Sequence, residues 1–393
     1  MKKVFLFSLF LVLGLVLSQC LPVWLGEAFL TAEKVAKTLM FVCLAFIMIN
    51  VGRGFELDKT KWRSYAADYF IAMATAAVPW IMVAFYYMFL LPADLFGNWD
   101  AWKENLLLSR FAAPTSAGIL FTMLAAAGLR REWIYKKTQV LAIFDDLDTI
   151  LLMIPLQIFM IGFKWQLFAV VIVITFLLVI GWKKLGTIRL SQTWKSILFY
   201  AVCIVAVTES IYLLTKWMMG ADGAIHIEVL LPAFVLGMVM KTVHQHGNRD
   251  EKITGMISYL FMFLVGLSTP QFIGIDHGHR ITEAVGIIAA QPMPSWEVLI
   301  VHVIVVTLLS NLGKMFPLFF YRDRQLEERL ALSVGMFTRG EVGAGIIVIA
   351  MGYNLGGPAL IISVLSLVLN LLLTGGFVVI VKRLAQQAYG LKE

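Results

Sequence analysis

Three carboxylates stand inside one apolar stretch of the chain. They are Asp145, Asp146 and Asp148, in residues 142–152. Lys136 and Lys137 precede the stretch, and apolar residues continue to about residue 161. That length suits a helix crossing a bilayer, where an ionisable side chain is costly and marks a functional site. Two adjacent carboxylates repel, so protons or a cation must share the site with them.

Other polar residues in apolar surroundings are candidate partners. Pro114 interrupts a second apolar stretch, followed by Thr115 and Ser116. Proline removes one helical donor and frees a carbonyl a turn earlier. The two hydroxyls can satisfy the opened backbone or coordinate a hard cation through oxygen. A third stretch carries Arg339 and Glu341 between glycines. Two residues apart, they do not face each other on a regular helix. Unwinding at the glycines would leave Glu341 at an N-terminal half-helix end and Arg339 at a C-terminal one, a structural role. Lys314 lies deep in a fourth stretch, so it either loses its proton or meets a carboxylate, and the aspartates are the obvious partners. Glu209, between Thr208 and Ser210, is either a proton funnel or an acid capped by those hydroxyls. Paired histidines His244 with His246 and His277 with His279 read as solvated loops rather than a metal or pH site. His226 and His302 complete the six. The sequence has no phosphate-binding loop, no Ser/His/Asp arrangement and no zinc signature. An ATPase or hydrolase therefore has no support, and neither an enzyme activity nor a cofactor is expected.

The elements that must position these residues follow from composition. Of 393 residues, 60% are hydrophobic and 15% charged, with mean hydropathy +0.84. This is an all-α polytopic membrane protein. The net charge of +7 and pI near 9.2 reflect basic loops rather than a nucleic-acid partner. Cys20, Cys43 and Cys203 read as small buried hydrophobes. The N-terminus resembles a signal peptide, and Ser18-Gln19-Cys20 resembles a lipoprotein cleavage site, but the loop charges alternate best if this segment is kept as the first span.

Apolar segments fall at about 4–21, 33–52, 66–91, 106–128, 138–161, 165–182, 196–216, 228–240, 253–273, 296–320, 330–351 and 358–381. That makes about twelve transmembrane helices. Most Lys and Arg fall in alternate connections, which places both termini in the cytoplasm; Arg110 is assigned to an outer flank. The fourth and eleventh spans both carry polar, Gly-rich interruptions, and the second and ninth end alike. Each pair is seven spans apart. An odd offset reverses orientation, giving inverted-topology repeats with two broken crossing helices, the pattern of secondary transporters.

Together these motifs resemble the monovalent cation:proton antiporter superfamily, in its bacterial Na+/H+ antiporter branch with paired aspartates. The matching residues are Phe144-Asp145-Asp146, Thr115-Ser116-Ala117-Gly118, Gly313-Lys314 and the run from Gly335 to Gly343. Gly54-Phe55-Glu56 matches loosely. The resemblance implies the Na+/H+ antiporter fold, with Asp146 binding Na+ (or Li+) and Asp145 paired with Lys314. It implies electrogenic exchange by an elevator-like movement, in a homodimer of the bacterial inner membrane. The ion-translocating core would be residues 66–161 and 296–381, and the dimerisation scaffold 1–65 and 162–295. Asp148 stands where the family has an apolar residue, and Pro114 where it has a small one. Two alternatives are a K+/H+ antiporter of the same fold and a Na+-coupled organic-anion symporter.

Overall fold

The computed structural model describes residues 2–26, 28–53, 62–130, 132–161, 166–184, 186–219, 229–240, 248–268, 286–288, 291–353 and 355–390. These residues are organised as helices: α1 (Lys2–Leu25), α2 (Ala28–Arg53), α3 (Trp62–Leu90), α4 (Trp99–Ser109), α5 (Ala117–Ala126), α6 (Trp133–Ile161), α7 (Gln166–Lys183), α8 (Trp194–Met219), α9 (Leu230–Val239), α10 (Asn248–Leu267), α11 (Trp296–Gly313), α12 (Leu326–Gly335), α13 (Glu341–Gly352) and α14 (Gly357–Tyr389). Among the described residues strand pairing is limited to one isolated bridge, Ile188 with Met240.

The twelve expected spans fall on these elements in chain order. The ninth was expected to run to residue 273, beyond the described residues. Among the described residues, seven segments are long and apolar enough to cross a membrane by length and composition alone. The aspartate-bearing α6 is not among them, because its three carboxylates interrupt the apolar run. Lipid leaves no water for backbone groups, so each helix satisfies its own and any break needs outside partners.

Spans four and eleven are each two helices in series. The fourth is α4, a 3-10 turn at Arg110–Ala112, an irregular stretch at 113–116, then α5. Ala113 keeps helical dihedrals and donates to the Arg110 carbonyl, but Pro114 has no N–H to donate, so the ladder stops there. Helix restarts at Ala117 because Ser116 caps it, its Oγ accepting from the Ile119 N–H at 3.4 Å. The eleventh span is α12, an irregular stretch at 336–340, then α13.

The chain divides into two compact units. The first comprises Met1–Trp24, Arg63–Met160 and Val265–Glu393. Here α14 packs along α11 and α12. The C-terminal end of α11 lies against α3, where a Cβ on Gly313 would sit 2.6 Å from the Pro79 Cα, so only glycine fits. The second unit comprises Leu25–Trp62 and Ile161–Leu264. Its centre is α9, packed on α2 and α7, with α8 also on α2. Gly52 and Gly237 let α2 and α9 touch backbone to backbone; a Cβ on Gly237 would lie 2.9 Å from the Arg53 N.

Candidate functional site

The two breaks meet inside the first unit and repair each other. The Ser116 N–H donates to the Thr338 carbonyl at 2.9 Å, and the Thr115 hydroxyl donates to the Met336 carbonyl at 3.1 Å. Arg339 Nη1 also donates to the Met336 carbonyl, at 3.3 Å, and Nη2 to the Ser310 carbonyl at 3.3 Å. Ser310 lies in the last turn of α11, whose carbonyls have no helical donor beyond them. Arg339 thus ties the end of α12 to the end of α11.

The middle of α6 runs past this junction. Asp145 Oδ2 accepts the Thr115 N–H at 2.7 Å and Lys314 Nζ at 2.9 Å. Both side chains of this ion pair are 0% exposed. Asp145 Oδ1 has no hydrogen-bond partner among the described residues. Asp146, the next residue, is also buried. Asp148 is one turn beyond Asp145, on the same face of the helix. Tyr69 of α3 lies beside its carboxylate.

Three buried cations, Lys314 among them, lie in the same unit as the three acids, each following a helix C-terminus. Arg110 is the C-cap of α4, Lys314 is the C-cap of α11, and Arg339 comes shortly after α12. Freed carbonyls and the macrodipole make such ends negative, so a cation there is favourable. The breaks therefore create buried sites for positive charge.

Arg110 departs from its expected place on an outer flank. It is 0% exposed, its Nη2 donates to the Asp148 carbonyl at 3.1 Å, and its guanidinium stacks 4.5 Å from the Trp80 ring. The signal was present: Arg110 falls within the apolar window 106–128, and a cation there needs a partner.

The remaining candidates are scattered. Pro114 occupies the break in span four. Glu341 opens α13, but its side chain lies outside the described residues. Glu209 is half-buried in α8 of the second unit; the neighbouring Thr208 hydroxyl donates to the Val205 carbonyl at 3.0 Å. His226, His244, His246, His277, His279 and the 54–56 motif lie outside the described residues. His302 Nδ1 is 2.7 Å from the Tyr86 hydroxyl.

Two further acids carry structure that the sequence reading passed over. Asp68 of α3 accepts Lys137 Nζ of α6 at 2.8 Å and the Tyr321 hydroxyl at 2.7 Å. Burial and the neighbouring Asp68 carboxylate push the Tyr321 hydroxyl up, so it stays a donor. Glu104 of α4 accepts the N–H groups of Ile287 and Ile288 at 3.1 and 3.0 Å.

Ion-paired carboxylates at the junction of two interrupted membrane helices define a membrane transporter rather than an inert bundle. Residues 2–384 match the family model described as sodium/hydrogen exchanger, transmembrane, and the chain belongs to that family. It is accordingly an integral membrane protein of the cation/proton antiporter class, whose members are transporters and not enzymes. No curated protein matches the chain.

Proposed function

We propose that the protein exchanges Na+ or Li+ for H+, with Asp146 as the site that cation and proton share. The observation that carries this reading is the fully buried Lys314–Asp145 pair at 2.9 Å, directly beside Asp146. Asp145 is held by a cation, and Asp146, the next carboxylate on α6, is the one at which cargo exchanges in this reading. A carboxylate that holds either H+ or Na+ makes exchange obligatory, because each must leave before the other enters. Thr115 and Ser116, in the break beside Asp145, supply neutral oxygen ligands suited to a hard cation.

In this scheme Na+ entry separates Lys314 from Asp145, and Na+ departure lets the pair re-form. A Lys314 that gives up a proton in that step makes the exchange two H+ per Na+, and hence electrogenic. Arg339 and Glu341 hold the broken ends in place. The paired-aspartate motif supports a bacterial branch of the family, located in the cytoplasmic membrane with both termini inside. Alternating access comes from an elevator-like movement of residues 66–161 and 296–381 against 1–65 and 162–295, in a homodimer.

The test is proteoliposomes bearing an imposed pH gradient, given Na+, Li+ or K+ while a fluorescent dye reports the gradient. Collapse by Na+ and Li+ is expected. A larger response to K+ would make the protein a K+/H+ antiporter of the same fold. Na+-driven uptake of an organic anion without proton movement would replace exchange with symport.

A further inference from the structure

Arg110 has no part in that scheme, yet it is buried beside the aspartates. We propose that Arg110 and Asp148 form a resident, charge-neutral couple that keeps the third aspartate out of the cation site. Asp145, Asp146 and Lys314 then operate alone. The transport consequences rest on the reading of Asp146 given above; the pairing itself does not.

The Arg110 Nη2 bond to the Asp148 carbonyl lays the guanidinium against the turn of α6 that carries Asp148. Trp80 packs on its ring plane and is itself fixed by a 2.7 Å bond from its Nε1 to the Leu106 carbonyl. Arg110 Nε and Nη1 have no hydrogen-bond partner among the described residues, and neither does Asp148 Oδ2. Arginine does not give up its proton in proteins, so its charge at this depth needs a fixed anion. The charges of Asp145 and Asp148 both act on Arg110. Lys314 holds Asp145, and Asp148 is the acid whose own turn of α6 the guanidinium touches.

Removing one member of such a couple strands a buried charge, whereas removing both leaves a neutral space. The stranded charges have opposite signs, so the single variants have opposite effects on cation affinity. Asp148→Asn leaves a lone cation that repels Na+, and the apparent KM rises about tenfold. Arg110→Gln leaves a surplus carboxylate that holds Na+, so KM falls and the maximal rate falls with it. A purely structural role would not give opposite shifts.

The experiment compares wild type, Arg110→Gln, Asp148→Asn, the double variant and Arg110→Lys. Each is melted in detergent and assayed for Na+-driven proton movement in proteoliposomes. Expected are low melting temperatures for both single neutral variants, recovery in the double variant towards wild-type melting and KM, and a near wild-type KM for Arg110→Lys. A double variant that folds where Arg110→Gln does not is recovery in its strongest form. A double variant melting no higher than the worse single, or single variants shifting KM in the same direction, overturns the couple. Absence of Na+ exchange in wild type would defeat the transport reading, while the melting comparison would still decide the pairing.

Discussion

Removing the lysine at the centre of the site gives a quantitative test. In Lys314→Ala, Asp145 keeps the Thr115 N–H on Oδ2 but loses the cation in direct contact with it, in a place with no solvent exposure. Breaking a buried pair by deleting one partner costs about 3–5 kcal/mol. An unfolding entropy of about 2.1 cal/mol/K per residue gives roughly 0.8 kcal/mol/K for this chain. The melting temperature should therefore fall by about 4–6 °C. The fall is larger if helices persist in the unfolded state and reduce that entropy. Lys314→Arg keeps a cation and should recover most of the loss, but arginine cannot release a proton. Transport measured with and without an imposed membrane potential separates the two roles. If Lys314 carries a proton, Lys314→Ala becomes electroneutral. A variant that stays electrogenic and melts like wild type would refute both the pairing energy and the proton role.

Asp146→Asn should yield a folded protein with no Na+-driven proton release; appreciable exchange by it would remove Asp146 from the shared site. Thr115→Val should raise the apparent KM for Na+ more than it lowers the maximal rate, and an unchanged KM would limit the hydroxyl to its bond with Met336. Gly313→Ala should cost about 1–3 kcal/mol by overpacking, because the new methyl would lie 2.6 Å from the Pro79 Cα; wild-type melting would show that α3 and α11 separate easily.

The helical layout was legible because lipid demands long apolar runs and the breaks carry distinctive residues. Pro114 and the glycines around residue 339 announced the interruptions at 113–116 and 336–340. Lys314 was legible as a paired residue because its depth left few alternatives. Arg110 was not, since counting loop charges assigns a cation to a flank whenever it stands near a span boundary. The 3-10 turn at Arg110–Ala112 places it in the junction instead. Asp68 escaped notice for the opposite reason. Its partners Lys137 and Tyr321 are distant in sequence, and Lys137 looked like part of an ordinary basic flank. Sequence periodicity identifies which residues are inside a span. It carries no information on which helix ends face one another, and those ends set the charge balance here.

The mutual repair of the two breaks bears on how such a protein can be redesigned. Thr115 and Ser116 use carbonyls supplied by residues 336–338, more than two hundred positions away. Neither segment is a self-sufficient cassette. Transplanting residues 113–116 from a relative without the matching 336–340 would leave donors and acceptors unmatched in lipid, at roughly 1–3 kcal/mol for each buried group. A chimera that exchanges both segments together keeps the complementary bonds. Ion-selectivity libraries should therefore vary the two stretches jointly, as one inherited unit.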